Sequence, residues 1–320
     1  MVSSYNPWRP NADVMESGLG ILQGKNSELT YEKKHELNLG IDLGFLDNRI
    51  NFSMDWYKRK NYDLIGWLST TGLDGEIGKY ANVASMRSHG IELTLSTRNI
   101  AKKDFKWNTD FIFSKTKNKV TDLEAFSSVM DMVSGYGFAM QGYPVRSLFS
   151  LDFRGLNEEG LPTSLMKWRI DTSNINFQER NNKSHLIYEG TTDPTITGSL
   201  GNVFSYKGLK LNVFITYSFG NVIRLDPVFS NQYTDLDAMP KEFKNRWMRP
   251  GDEHRTNIPV IADKYMNVND SYLSRAYNAY NYSSDRIAKG DFIRLKEISL
   301  SYDLPKEVDS NQLKISKFRN

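Results

Sequence analysis

The stretch KKHELNLGIDLGF, residues 33–45, decides the reading. Leu37, Leu39, Ile41, Leu43 and Phe45 fall on one side of an extended chain, and Glu36, Asn38, Gly40, Asp42 and Gly44 fall on the other. Successive side chains of a strand point to opposite faces, so this alternation builds one apolar and one polar face, whereas a helix would spread the same residues around its circumference. After Leu46-Asp47-Asn48-Arg49 the pattern resumes, with Ile50, Phe52, Met54 and Trp56 set against Asn51, Ser53, Asp55 and Tyr57. Two alternating runs joined by a short polar segment predict a hairpin.

Working outward, the same unit recurs. Ile91, Leu93 and Leu95 alternate with polar residues, a turn runs from Asn99 to Asp104, and Phe105, Trp107, Thr109, Phe111 and Phe113 follow. A third unit passes from Leu200, Asn202, Phe204 and Tyr206 through Lys207-Gly208 into Leu209, Leu211, Val213, Ile215, Tyr217 and Phe219. A fourth begins at Ile298, Leu300 and Tyr302, turns near Pro305, and is expected to return through Leu313, Ile315 and Phe318. Connections inside the units are short. Those between them are long: Asn61 to Ala81, Lys117 to Tyr143, Arg154 to Thr197 and Asn221 to Gly290. Short turns at one end and long loops at the other are the asymmetry of outer-membrane barrels. If 105–113 runs outward and 200–206 inward, an even number of strands lies between them. One candidate is visible there, Val145 to Phe153, so either it has an unrecognised partner or it does not span.

Composition fits one wet face per strand. Hydrophobic residues make up 39% and aromatics 12%, with 17 Tyr, 17 Phe and 6 Trp, and the mean hydropathy is −0.54. There is no cysteine, which excludes disulfides, thiolate metal sites and a Cys nucleophile. The net charge of +3, from 41 basic and 38 acidic residues, is too balanced to imply a nucleic-acid or anionic-membrane partner by bulk charge, so any binding specificity must be local. No stretch approaches the roughly 20 apolar residues of a spanning helix, and the N-terminal MVSSYNPWRP lacks the pattern of a secretory signal. Since a barrel must be exported, Met1 is expected to lie inside a longer gene product.

In lipid an alternating sheet must close on itself, because unpaired backbone groups are costly there. Phe45, Trp56, Tyr57, Tyr206, Phe219 and Tyr302 are expected in interfacial aromatic girdles. The same alternation also suits a soluble sandwich, with its apolar residues turned to a core. Periodicity does not separate the two. Loop asymmetry and large lipid-type side chains favour the barrel.

At this point the residues resemble a family. LNLGIDLGFLDNRINFSMDWYKR, NVASMRSHGIELTLS, FKWNTDFIFSKTKNKV, GNVFSYKGLKLNVFITYSFGN, RWMRPGD with a following IP, and GDFIRLKEISLSYDLP are similar, in this order, to the barrel of SusC/RagA-like TonB-dependent outer-membrane transporters. The likeness runs from about Glu28 to Asn320. Ala84 and Ser88 stand where the resemblance leads one to expect Gly and Asn, and Lys115-Thr116 where Tyr-Asn is more usual. The resemblance implies an all-β fold, a partial antiparallel transmembrane barrel belonging to a wall of about 22 strands. It implies import of oligosaccharides or peptides, a SusD-like surface lipoprotein as partner, energy through TonB, and a cell outer-membrane location of the Bacteroidetes kind. Residues 1–320 then form one barrel segment, with plug, signal and final strands outside it, and Phe318-Arg319-Asn320 falls in mid-strand, so an open sheet with aggregation-prone edges is expected.

Chemistry-bearing residues are sparse. His35, His89, His185 and His254 lack the i, i+4 spacing of a zinc helix. Asp252-Glu253-His254-Arg255 reads as a charged loop that could hold a cation. Glu158-Glu159 are adjacent and point apart, and Gly135-Tyr136-Gly137 lacks the third glycine of a phosphate loop. Tyr57 to Lys60, YKRK, reads as a solvated rim rather than a nucleic-acid patch. Asn51, Asn269 and Asn281 begin N-x-S sequons. No cofactor, metal site or catalytic constellation is implied, so the reading is not an enzyme. For a glycan ligand, Trp67, Tyr136, Tyr143, Tyr233 and Trp247 are the candidate stacking residues, with packing as the alternative role for each. The competing function is a surface or secreted β-sandwich that binds glycans without transport.

Overall fold

The computed structural model describes residues 2–6, 18–23, 26–69, 78–124, 127–166, 169–171, 175–227, 240–261 and 273–303. Its wall is a seven-stranded antiparallel meander: β3 (Lys33–Phe45), β4 (Ile50–Ser69), β5 (Gly78–Ala101), β6 (Phe105–Leu123), β12 (Ile196–Tyr206), β13 (Leu209–Phe219) and β16 (Phe292–Tyr302), each paired with the next. A separate hairpin joins β1 (Val2–Asn6) to β2 (Gly18–Gln23).

Period two carries across the whole sheet. Leu43, Phe52, Leu95, Phe111, Leu200, Ile215 and Leu295 form one cross-strand row. The next row in the same direction of pleat is Ile41, Met54, Leu93, Phe113, Gly198, Tyr217 and Ile293. Between them runs Asp42, Ser53, Thr94, Ile112, Ser199, Thr216 and Arg294, on the opposite face. The apolar face is solvent-accessible, Leu39 being 59% exposed. Among the described residues no second sheet covers it, and a sandwich requires one. The run Leu37–Phe45 measures about 27 Å along the strand, roughly 20 Å of height at a typical barrel tilt.

Polar residues on the apolar face satisfy one another. Asn202 Oδ1 accepts from Trp107 Nε1 at 2.9 Å and from the Thr109 hydroxyl at 2.7 Å, and Asn99 Nδ2 donates to Thr109 Oγ1 at 2.7 Å. This chain lies at the short-turn end of the strands, where alternation alone would have put aliphatic side chains.

The short turns fall where the sequence predicts them: 46–49, 102–104 and 207–208. At the first, Leu46, Asp47 and Asn48 all adopt left-handed φ, and the Arg49 amide closes on the Leu46 carbonyl at 3.1 Å. The turn near Pro305 and the return through Leu313, Ile315 and Phe318 lie outside the described residues.

The long connections differ from expectation. Strands β4, β5 and β6 continue well past their apolar runs, so β4 reaches Ser69, β5 begins at Gly78 and β6 reaches Leu123. Outside lipid a strand needs backbone pairing but no alternation of hydropathy, so this extension carries no periodic signal. The candidate strand at 145–153 is no part of the wall. Its core, β7 (Ser147–Leu151), is wholly buried and pairs with β11 (Leu186–Thr191) in a separate two-stranded sheet. No wall strand lies between β6 and β12, which are direct neighbours, and parity is met with zero.

The two longest excursions, between β6 and β12 and between β13 and β16, interlock above the long-loop end of the wall. The first holds α1 (Val129–Val133), β7, β8 (Phe153–Leu156), β9 (Pro162–Met166), β10 (Arg169–Asp171) and β11. The second holds β14 (Val222–Arg224), α2 (Leu273–Asn281) and β15 (Ile287–Lys289). Leu151 and Ile175 pack with Ala279, Leu161 with Leu273 and Tyr277, and Phe153 with Phe243 and Tyr280. Each apolar core takes residues from both excursions, so the loop layer is itself a small packed structure.

Candidate functional site

The short helix α1 is held by a capping box, in which the Asp131 carboxylate accepts the Ser128 amide at 2.8 Å while the Ser128 hydroxyl accepts the Asp131 amide at 3.3 Å. Its own Val129, Met132 and Val133 are buried, and it leads directly to the exposed Tyr136. Tyr136 is 81% exposed while its carbonyl accepts Arg146 Nε at 3.1 Å and the Thr192 hydroxyl at 3.2 Å. Its backbone is tied down and its ring is presented outward. Arg146 in turn pairs with Asp193 at 2.9 Å.

Trp67 is 52% exposed near the tip of β4 and meets Tyr80 edge to face at 5.3 Å between centroids. Its indole also lies over Gly78, where a β-carbon would come within 2.5 Å. Tyr143 forms an aromatic trio with Phe149, at 5.2 Å, and Tyr188, at 4.9 Å. Trp247 covers Gly160 and donates from Nε1 to Glu253 Oε2 at 3.0 Å. Tyr233 lies outside the described residues. Of the five sequence candidates, Tyr143 and Trp247 are thus engaged in packing, Trp67 and Tyr136 offer free area, and among the described residues no ring contact joins any two of them.

Two arginines, the half-buried Arg224 and the buried Arg286, hold the loop layer together, and sequence reasoning passed over both. Arg224 donates to the carbonyls of Ser283 at 3.1 Å and Phe149 at 2.7 Å and to Ser150 Oγ at 3.0 Å, so it ties the second excursion to the first. Desolvation pulls its guanidinium down to about 10, against the favourable charge of Glu189. Glu189 is itself pushed above the usual carboxylate range by burial. Arg286 is ion-paired with Glu242, donates to the Asp226 carbonyl at 2.8 Å, and lies over the Tyr280 ring. Burial drives the Tyr280 phenol to about 12. For Arg224 the available signal was a cation in the mainly apolar run VIRLDPVF, which reads as a buried cation with backbone partners, whereas Arg286, between Asp285 and Lys289, carries no such signal.

The remaining chemical candidates resolve into turn structure. Asp252 Oδ2 accepts the amides of Met248 and Arg249, each at 3.2 Å, and Glu253 Oε2 accepts the Gly251 amide at 2.8 Å as well as the Trp247 indole. These hydrogen bonds hold the Glu253 carboxyl below the usual range, the indole contributing most. Glu158 and Glu159 are exposed in the turn between β8 and β9, where the Glu159 amide is spent on Asn157 Oδ1 at 3.1 Å. The YKRK run is divided by the pleat. Trp56 and Lys58 share the apolar face, while Tyr57 and Arg59 turn to the other, where Arg59 pairs with Glu36 at 2.7 Å. Tyr57 is 4% exposed, so it is no girdle residue. Alternation puts it opposite Trp56, against Gly90.

Residues 3–146 match the family described as TonB dependent receptor-like, beta-barrel. TonB-dependent receptor P3 of Formosa agariphila is 25% identical over 308 residues, covering 92% of this chain and 29% of the relative. TonB-dependent receptor SusC of Bacteroides thetaiotaomicron is 31% identical over 99 residues, which is 31% of this chain and 10% of that protein. Among solved structures, that of the RagAB peptide transporter superposes with a TM-score of 0.70 at 21% identity, over 97% of this chain and 32% of the other. The chain therefore spans about a third or less of the proteins it matches.

Proposed function

We propose that this chain forms part of the wall and extracellular loop layer of an outer-membrane nutrient importer, because residues 3–146 match the β-barrel of TonB-dependent receptors and a SusC protein is among the similar sequences. The observation that carries the reading is the continuous two-faced meander, apolar outside and polar inside, with every long excursion at one end and interlocked there. A sheet of this kind is stable with its apolar face in hydrocarbon. The loop layer then lies over the mouth, where a substrate arrives.

The cargo is an oligosaccharide, or a peptide as in the similarly folded importer. A SusD-like lipoprotein is the proposed partner on the loop layer, and TonB supplies energy to the complete protein, within which residues 1–320 serve as one barrel segment. Trp67 and Tyr136 are the proposed ligand-stacking residues: both are exposed, and the Tyr136 backbone is anchored. Tyr143 and Trp247 support the layer from within, and Tyr233 remains a candidate on sequence grounds. The work of such a protein is binding and passage, with no bond made or broken.

The test is uptake of labelled oligosaccharides and peptides by cells carrying the intact gene, with and without an energised inner membrane. Energy-dependent uptake that vanishes on gene deletion supports the reading. Unchanged uptake in the deletion strain, or a protein absent from the outer-membrane fraction, would sink it.

A further inference from the structure

The apolar face of the wall does not fade toward the loop end; on four neighbouring strands it turns basic at one level. Leu39, Trp56, Ile91 and Lys115 form the last largely apolar row, Leu37, Lys58, His89 and Lys117 form the next on that face, and His35, Lys60, Arg87 and Lys119 the one beyond. Lys58, Lys60, Arg87, Lys115, Lys117 and Lys119 are all exposed. Among the described residues none of the six has an ion-pair partner, although Lys60 lies 5.7 Å from the centroid of the Tyr62 ring. No acidic residue alternates onto these rows. The opposite face at the same height mixes signs, with Glu36 between Lys34 and Arg59. The excess is therefore confined to the outside. At its edge it borders a groove of about 460 Å³ lined by His35, Glu36, Leu37, Lys58, Arg59, Lys60 and Arg87, in which the carboxylate of Glu36 is already engaged by Lys34 and Arg59.

Unpaired like charges on adjacent strands repel and weaken a sheet, so a compensating anion is expected where they stand. Their height identifies it. They begin where the apolar band ends, on the face that meets lipid and at the loop end of the barrel, which is the level of the headgroups of the outer leaflet. We propose that this patch docks the phosphorylated headgroups of the outer leaflet's anionic glycolipid, with several lysines and an arginine sharing phosphate oxygens and the apolar rows below receiving the acyl chains. The inference rests on the outer-membrane reading and adds a lipid site to it.

The experiment uses the complete protein extracted in mild detergent, with bisphosphorylated lipid A in phosphatidylcholine nanodiscs as the probe and dephosphorylated lipid A and inorganic phosphate as controls. A Lys or Arg at an anionic lipid surface strengthens partitioning about fivefold, so Lys58→Gln/Lys60→Gln/Lys117→Gln/Lys119→Gln lowers lipid retention at least about tenfold after screening. The four Lys→Arg substitutions retain the lipid, and Lys102→Gln/Lys103→Gln at the opposite end changes nothing. If the quadruple Gln variant fails to fold, single Lys58→Gln and Lys117→Gln decide, each with a loss of about twofold expected after the same screening. Wild-type retention by a folded Gln variant, equal retention of dephosphorylated lipid, or complete displacement by millimolar phosphate overturns the proposal. A protein that never reaches the outer membrane defeats the underlying reading; one that inserts without holding lipid defeats this inference alone.

Discussion

The hydroxyls of Tyr57 and Thr116 lie 2.7 Å apart, although β5 runs between their strands. The bond is possible because the intervening residue on that row is Gly90, over which the Tyr57 ring lies; a β-carbon there would stand 2.5 Å from the tyrosine hydroxyl and 2.8 Å from the Lys115 carbonyl. Thr116 is one of the residues that depart from the SusC/RagA-like pattern, and here it supplies the partner. The inner face of the wall is thus pinned across three strands.

Tyr57→Phe removes one hydrogen bond and keeps the ring, so a loss of about 1 kcal/mol is expected. Gly90→Ala forces the ring away and costs more, about 1–3 kcal/mol, as overpacking does. Unfolding midpoints of the detergent-solubilised protein in urea check the order. A Gly90→Ala protein as stable as the parent would show that the ring moves without penalty.

Asn202 holds two donors on the lipid-facing side, Trp107 Nε1 and Thr109 Oγ1. Asn202→Ala leaves both without an acceptor where water is scarce, with an expected cost of about 1–3 kcal/mol. The same midpoint, read beside Asn212→Ala on the opposite face, provides the measurement. Asn212 donates to Glu297 at an exposed position, and its loss is expected to stay within about 0.5 kcal/mol.

Arg224 bridges the two excursions, so Arg224→Met is expected to loosen them from each other while leaving the wall intact. Leaving its buried carbonyl acceptors without a donor costs about 1–3 kcal/mol. Hydrogen exchange should rise in β7 and around Ser283 and stay unchanged in β3 to β6. A uniform rise through the wall would contradict this division of labour.

Glu253 gives the loop RWMRPGDE an acid-sensitive latch. Its carboxyl sits below the ordinary value near 4.5 because the Trp247 indole and the Gly251 amide donate to the charged form. A depressed acid binds fewer protons when folded than when unfolded, so its contribution is complete above pH ~4.5 and is lost as pH falls through the lower folded value. Exchange at the Trp247 and Gly251 amides should therefore increase below that window in the parent. In Glu253→Gln it should already be raised at neutral pH and show no such step.

How much of this was legible in the residues varies from element to element. The hairpins at 33–57, 91–113 and 200–219, their turns and their apolar sets followed from period two, because an alternating strand at a lipid boundary has each side chain's direction written in its position. The pleat also separates Tyr57 from Trp56, and grouping both as girdle residues overlooked it. The family likeness rested on the same alternating runs.

What alternation left open was decided by long-range pairing. That β6 and β12 are neighbours depends on backbone hydrogen bonds across an excursion running from Leu123 to Ile196, and that 145–153 is buried loop structure depends on its partner β11 and on Ala279 from the other excursion. Such partners are distant in sequence, and their contacts have no period to read. The basic rows above the apolar band lie between these cases: each lysine is plain in the sequence, but only the register of four strands sets them side by side at one height. The local pattern determined the faces, since side-chain direction on a strand is set by backbone geometry alone. Tertiary structure determined which strands meet and what covers them, since those depend on the burial and pairing of groups that the chain brings together only when folded.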